Sequence, residues 1–475
     1  MTEQINNTDF SILSEQKKYA DRVRVLLSSN PDFSQKAPKV FINTFGCQQN
    51  EADSERLLGQ AVFMGYEKTD IIDNADLIIY NTCAVREHAE LRALSRTGSL
   101  KALKKKNPNL IIGLWGCMVS QDHRMNDVKN SYPYVDFVAG TNMLHRLCEI
   151  VCDVLQSGRR RYYVTSDAAL TVEGVPVVRQ SDIKAYVSIM YGCNNFCTYC
   201  VVPHVRGRER SRDKKAILEE IKGLVKDGYR EITLLGQNVN SYKSDDGKGF
   251  CGLLKDICEI DGDFILRFMT SHPKDASDEL IDIMAQNKKI ARHFHLPVQS
   301  GSSRILSLMN RKYTAEHYLD LAMKIKEKIP DISLTTDIII GFPGETKEDF
   351  EKTLEMVKRV QYDSIYSFIY SPRKGTPAAQ MEDPVSYEEK TERMAMLLSA
   401  QTDISEALNK KLVGKTVCAI CESKEKNSAG YHVARCSDNK IVFFENDGDI
   451  SYYGKNVDIK IIRATPAQFY GQLVK

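Results

Sequence analysis

From Lys39 onward, short runs of β-branched and other apolar residues alternate with stretches whose apolar positions recur at helical spacing. Three runs come first: "KVFINTFGC" ends at Cys47, "LIIYNTC" at Cys83 and "LIIGLWGC" at Cys117. Each is followed by polar or helix-like sequence, as in "NEADSERLLGQAVFMG", where Leu57, Leu58, Ala61 and Val62 share one face and Gly65 can stop the helix. This alternation predicts βαβ units around a parallel sheet, which aligns the carboxyl ends of the strands along one edge. Three cysteines far apart in the chain are therefore expected to meet there.

A second α/β series follows, with strands expected at "AYVSIMYGC", "EITLLGQNV", "FILRFMTS", "RHFHLPVQ", "SLTTDIIIGF" and "SIYSFIYS". Helical patterns separate most of them; in "DKKAILEEIKGLVKDG", Asp213 is the expected cap and Gly228 the stop. Six strands of this kind predict a partial (β/α)6 barrel, with chemistry at the strand carboxyl ends. Beyond residue 408 the pattern becomes short and alternating. Val457, Ile459 and Ile461 share one face and Asp458 and Lys460 the other, which predicts a small antiparallel β-barrel.

The organisation expected is an N-terminal extension over 1–36, loosely attached, with one amphipathic helix at "EQKKYADRVRVLL". An α/β domain over 37–165, a connector over 166–183, the partial barrel over 184–408 and the small barrel over 409–475 complete it. The fold class is α/β throughout, except for the last segment.

Composition narrows the compartment more than the chemistry. The 475 residues carry a formal net charge of +2, so a polyanion partner has to be held by local clusters rather than by a global field. Such clusters exist: "HVRGRERSRDKK" is dominated by Lys and Arg, and the terminal barrel carries more basic than acidic residues. The start lacks a signal-peptide pattern, and no run reaches the ~18 apolar residues that span a bilayer. A cytoplasmic location without membrane partners is expected. Thirteen cysteines in a reducing compartment do not read as a disulfide framework.

The cysteines divide by spacing. "YGCNNFCTYC" sets Cys193, Cys197 and Cys200 in a C-x3-C-x2-C loop after the first strand of the second series, and no further cysteine follows until Cys251. A structural zinc site needs four ligands. Three thiolates on an iron-sulfur cluster instead leave one iron open to a small molecule. Cys47, Cys83 and Cys117 repeat the situation, three ligands and no fourth. In the terminal barrel Cys418, Cys421, His432 and Cys436 approach zinc spacing, yet residues three apart on a strand face opposite sides. Cys148 and Cys152 fit one apolar helix face.

The loop pattern, with Tyr199 directly before its last cysteine, resembles the radical S-adenosylmethionine (SAM) enzymes. The segments "FGCQQNEADSERL", "IIYNTCAVREHAELR", "GCMVSQ", "CNNFCTYCVVPHVRGRERSR", "LLGQNVNSY", "HLPVQSGS", "MNRKYT", "TDIIIGFPGET" and "YSPRKGTPAA" together resemble the methylthiotransferases, and the terminal barrel is similar to the RNA-binding TRAM domain of that family. Gln49, where relatives often carry Met, is one departure. "NTCAVREHAE" is most similar to the branch acting on N6-dimethylallyladenosine beside the anticodon of tRNA, rather than to the threonylcarbamoyladenosine or ribosomal-protein branches.

The resemblance implies two 4Fe-4S clusters. One sits on Cys193, Cys197 and Cys200, where SAM completes the open iron, with Tyr199 near its adenine and a 5′-deoxyadenosyl radical as product of its cleavage. The other sits on Cys47, Cys83 and Cys117 and holds the sulfur to be transferred. It further implies a tRNA anticodon stem-loop as partner, an external electron donor, a sulfur source and a monomeric enzyme. Gln237 and Asn238 are candidates for the methionine end of SAM, with a plain strand-to-loop turn as the equal alternative, and Asp337 and Glu345 for its ribose or the cavity wall. Against the last pair stands a plain tight turn at Gly341, Pro343 and Gly344. Arg206, Arg208, Arg210 and Arg212 are candidate phosphate contacts that position RNA. His293 and His295 read as structural. The rival of a different class is a zinc-bearing RNA-binding protein without catalysis.

Overall fold

The computed structural model describes residues 2–33, 36–164, 170–445 and 451–474, with backbone alone for residues 2–10 and 32. The chain divides into two compact units: Met1–Gln180 with Ser188–Asn194 and Cys200–Ala216, and Ser181–Val187 with Asn195–Tyr199 and Ile217–Lys475.

In the first unit a six-stranded sheet runs in the order Glu67–Lys68, Lys39–Phe45, Leu77–Thr82, Ile111–Gly116, Phe137–Ala139, Arg161–Tyr163, and all neighbours are parallel. The central strands Leu77–Thr82 and Ile111–Gly116 are buried along their whole length, as expected where helices cover both faces. One face packs Leu77, Ile79, Trp115 and Phe137 against the helices Gln48–Phe63 and Leu147–Ser157. The other packs Ile78, Tyr80, Ile112 and Leu114 against Glu87–Lys106.

The loosely attached extension is corrected. Helix Thr2–Ser28 places Ala20, Val23 and Leu27 in the first of these cores, with Leu147, Cys148, Val151 and Cys152 of the helix Leu147–Ser157. Those spacings of three and four form one apolar stripe among otherwise charged residues. Of the expected connector, residues 166–169 lie outside the described residues; 170–183 form no helix or strand.

In the second unit all six expected strands are present. Lys184–Ser188, Glu231–Leu235 and Ile265–Met269 are consecutive neighbours, as are His293–His295, Ser333–Ile340 and Ser364–Ile369, and a parallel bridge Leu266↔Ile290 links the two sets. Helices between them start at side-chain caps: Ser277, Ser302 and Thr314 each accept from a first-turn N–H, and Thr346 with Asp349 forms a capping box. After helix Tyr387–Lys410 the chain closes a five-stranded barrel of Thr416–Cys421, His432–Cys436, Ile441–Glu445, Phe469–Leu473 and Asn456–Ala464.

This barrel is not purely antiparallel, as the alternating pattern suggested. Ile441–Glu445 and Phe469–Leu473 pair in parallel while the other neighbours run antiparallel. An odd number of strands in a closed ring cannot alternate direction all the way round, so one parallel pair is forced. The barrel is joined to the partial barrel's strands at Lys184, which starts its strand and pairs with Glu422, at Asp363, just before Ser364–Ile369, which pairs with Lys440 at 2.8 Å, and at mid-strand Arg267, which donates to the carbonyls of Cys436 and Ser437, both at 2.8 Å.

Candidate functional site

Strand register brings the first cysteine set together. Phe45 is opposite Thr82, and Thr82 opposite Gly116, so the three strands end level. Cys83 and Cys117 follow immediately and Cys47 follows after Gly46. Gly116 permits the sharp exit: its φ is +101°, and a Cβ there would lie 2.5 Å from the Thr82 carbonyl oxygen. The Cys117 N–H then donates to that carbonyl at 2.8 Å. Asn50 and Asn81 lock the helix after Cys47 to the strand before Cys83. Asn50 Nδ2 donates to Asn81 Oδ1 and the Thr82 carbonyl, and Asn81 Nδ2 returns a bond to the Asn50 carbonyl at 2.8 Å.

The three thiols interact. A hydrogen bond shared with Cys83 lowers the Cys47 pKa, against burial and with help from the Arg206 charge. The same bond, burial and the nearness of Cys117 raise that of Cys83. Cys117 is raised by burial, opposed by Arg206. Arg206 itself is buried and ion-paired with buried Asp53 at 2.8 Å. Burial works against its charge, and Cys117, Asp53 and Cys47 more than restore it. Around Cys117 the apolar wall is Ala84, Val201 and Val205.

Cys193, Cys197 and Cys200 lie on the loop after the strand Met190–Tyr191. Gly192, φ +77°, lets that loop start against the Arg208 carbonyl, which a Cβ would meet at 2.0 Å, and Cys193 N–H donates to the Gly207 carbonyl. Cys197 is held by the "MNRKYT" segment. Thr198 N–H donates to the Met309 carbonyl, Asn310 Nδ2 to the Phe196 carbonyl at 2.9 Å, and Arg311 Nη1 to the sulfur of Cys197 at 3.4 Å. Arg311 is buried and its other bonds go to the Tyr313 hydroxyl and the Pro297 carbonyl. No described carboxylate pairs with it. Burial opposes its charge, which Tyr313, Tyr199 and Cys197 favour. Tyr199 packs edge-on to Phe342, 6.5 Å between centroids, beside Ile305 and Tyr370.

Among the described residues no three His, Cys, Asp or Glu side chains converge as a single-ion site needs. A multi-iron cluster makes a different demand, since each thiolate binds its own iron at a separate corner. Two sets of three cysteines, each with a buried guanidinium at hand, fit that demand. In the terminal barrel Cys418 is exposed and Cys421 buried, and both Cys421 Sγ and His432 Nδ1 are engaged by Ser423.

The remaining candidates separate. Asn238 is buried just past the end of the strand Glu231–Leu235; Nδ2 donates to Asp275 at 2.7 Å and Oδ1 has no partner among the described residues. Gln237, beside it, is half-buried. Asp337 is half-buried, 3.5 Å from His295 Nε2, and the Thr335 hydroxyl bridges His293 and His295 at 3.0 Å each. Glu345 is buried: its Oε2 accepts from the Gly341 N–H and from Arg393 and so fastens the turn, while its Oε1 has no partner among the described residues. Arg206 and Arg212 are corrected as RNA contacts. Both are buried in carboxylate pairs, Arg206 with Asp53 of the helix Gln48–Phe63 and Arg212 with Glu173 at 2.6 Å. Arg208 is exposed, and half-buried Arg210 bonds the carbonyls of Arg206 and Arg208. Asn50, Asn81, Asp53 and Arg311 escaped the sequence reading. Asn50, Asn81 and Asp53 crowd the Cys47 and Cys83 motifs, which was the available signal.

Residues 187–357 match the Radical SAM superfamily, residues 39–140 an uncharacterized protein family, UPF0004, and residues 410–474 the TRAM domain. A tRNA-2-methylthio-N(6)-dimethylallyladenosine synthase of Acetivibrio thermocellus is 46% identical over 98% of this chain and 96% of its own length. The chain belongs to that synthase family. A second synthase, from Clostridium novyi, is 48% identical over 92% of this chain and 96% of its own length. Among solved structures, the radical SAM methyltransferase TsrM of Kitasatospora setae resembles the synthase chain in fold, with a TM-score of 0.55 at 14% identity, covering 72% of this chain and 74% of its own. No described helix of this synthase is long and apolar enough to cross a membrane.

Proposed function

We propose that this chain is a radical SAM methylthiotransferase that inserts a methylthio group at C2 of N6-dimethylallyladenosine beside the anticodon of tRNA, in the cytoplasm. The observation that carries the reading is the level ending of three adjacent parallel strands at Cys47, Cys83 and Cys117, in a chain that carries a second set of three on the loop 193–200. Cys193, Cys197 and Cys200 would hold one 4Fe-4S cluster and Cys47, Cys83 and Cys117 the other. When bound, these groups supply the electron that cleaves SAM, the resulting power to take hydrogen from an unactivated C–H bond, and an open iron for sulfur.

The protein's own residues hold and shield. Arg206 and Arg311 each bring a buried positive charge to one thiolate set, which favours the ionised sulfurs that ligate iron. Asn238 Oδ1, buried and unmatched, is an acceptor for the ammonium of the methionine moiety, with Gln237 alongside. Tyr199 gives an aromatic wall for adenine, and Asp337 a carboxylate for ribose. Arg208 is the member of the basic run placed to meet a phosphate.

The deciding experiment is anaerobic reconstitution followed by digestion of tRNA from a strain lacking the enzyme. About eight irons per chain, two per-cluster spectroscopic signals and appearance of the 2-methylthio nucleoside support the reading. Colourless protein with stoichiometric zinc, or an unchanged dimethylallyl nucleoside, counts against it.

A further inference from the structure

The first unit contains a cavity that the chemistry above does not use. Its volume is about 390 Å³ including the open mouth, and its lining includes Arg56, Arg210 and Tyr191 together with Leu144, Val172 and Val175. The lining holds two guanidinium groups and no carboxylate. Arg56 is 8% exposed; it donates to the Tyr191 hydroxyl and its guanidinium lies 5.8 Å from the ring centroid. Tyr191 is in turn the strand partner of Arg210. Arg210 spends Nη1 and Nη2 on the carbonyls of Arg206 and Arg208, while its Nε is buried with no hydrogen-bond partner among the described residues.

Nearby acids are taken. Asp53 pairs with Arg206, Glu55 with Arg179, Glu149 with Arg146 and Glu173 with Arg212. His145, also in the lining, is pushed down to about 4 by burial and by Arg146, so it is neutral near pH 7. A buried cation ordinarily finds a counter-charge. Buried Arg56 and half-buried Arg210 find none among the described residues.

We propose that this cavity binds a phosphate dianion, free or as a small phosphomonoester, whose two charges balance Arg56 and Arg210. Guanidinium groups suit phosphate geometry, and a monovalent carboxylate would leave half of the charge uncovered. The apolar side chains of Leu144, Val172 and Val175 in the lining lower the local polarity and strengthen the pairing. Bound there, the anion braces the Met190–Tyr191 and Arg210–Ser211 hairpin from which the loop 193–200 departs.

The test is calorimetric titration of the full, cluster-loaded chain with inorganic phosphate at constant ionic strength, under argon. Saturable one-to-one binding is expected, weakened at least tenfold in Arg56→Gln and in Arg210→Gln and weakened less in Arg56→Lys. Phosphate should also raise the thermal midpoint of the parent chain and leave that of Arg210→Gln unmoved. Adenosine 5′-monophosphate distinguishes the two sources: displacement of phosphate at lower concentration assigns the site to a monoester, and failure to displace assigns it to the free ion. Absence of saturable phosphate binding, affinity unchanged in both glutamine variants, or occupation by an anticodon stem-loop with none by phosphate, would each overturn the proposal.

Discussion

Arg311 donates a hydrogen bond to the sulfur of Cys197 at 3.4 Å, and no described carboxylate offsets its buried charge. Its other bonds reach only a tyrosine hydroxyl and a backbone carbonyl. A positive hydrogen-bond donor on a cluster thiolate stabilises the reduced, more negative state. Arg311→Gln is therefore expected to lower the midpoint potential of the cluster on Cys193, Cys197 and Cys200 by about 60 mV, a tenfold change for one electron. An electron-paramagnetic-resonance redox titration reads this directly. A midpoint equal to the parent's, with full iron content, would assign Arg311 to packing alone.

Cys83→Ala separates the two cysteine sets. Iron content should fall from about eight to about four per chain. Methylthiolation should vanish while reductive cleavage of SAM continues, measured as released 5′-deoxyadenosine. Full product from this variant would remove Cys83 from the sulfur-carrying site.

Asp53→Asn leaves Arg206 buried beside Cys117 without its carboxylate. Breaking one side of a buried ion pair costs roughly 3–5 kcal/mol, so the denaturation midpoint should drop markedly in urea. The double variant Asp53→Leu with Arg206→Met should recover most of the stability, since no charge is then stranded. It should not recover function, because the charge beside Cys47 and Cys117 is gone. Equal instability of the single and double variants would show that the pair's charges are not the source of the loss.

Val23→Asp tests the N-terminal helix. Val23 is wholly buried in an apolar cluster with the helix Leu147–Ser157, where a carboxylate would be desolvated. A loss of roughly 3 kcal/mol or more in the first unit is expected, read by hydrogen exchange across Lys39–Phe45. An exchange pattern like the parent's would return the helix to the status of an appendage.

What could be read from the chain was whatever a strand period and a cysteine spacing encode. The level strand ends follow from apolar runs of similar length, each closed by a cysteine, and all six strands of the second series were visible as β-branched runs. Ion pairs were not visible. Arg206 and Asp53 are 153 positions apart, and nothing in "HVRGRERSR" says which arginines turn inward. The alternation of buried Arg206 and Arg212 with exposed Arg208 depends on Glu173 and Asp53 arriving from elsewhere. The N-terminal helix misled for a related reason: its buried stripe of Ala20, Val23 and Leu27 is narrow and sits among charges that dominate the local composition.

The terminal barrel is fastened at Lys184 and Asp363, where strands of the partial barrel begin, and at Arg267 in the middle of Ile265–Met269, whereas Asn238 lies just past the finish of Glu231–Leu235. Strands of five residues put roughly 17 Å between the two levels. The terminal barrel is thus carried on the foot of the partial barrel, and a substitution at Lys184 or Asp363 would loosen its seating while leaving the far strand ends untouched.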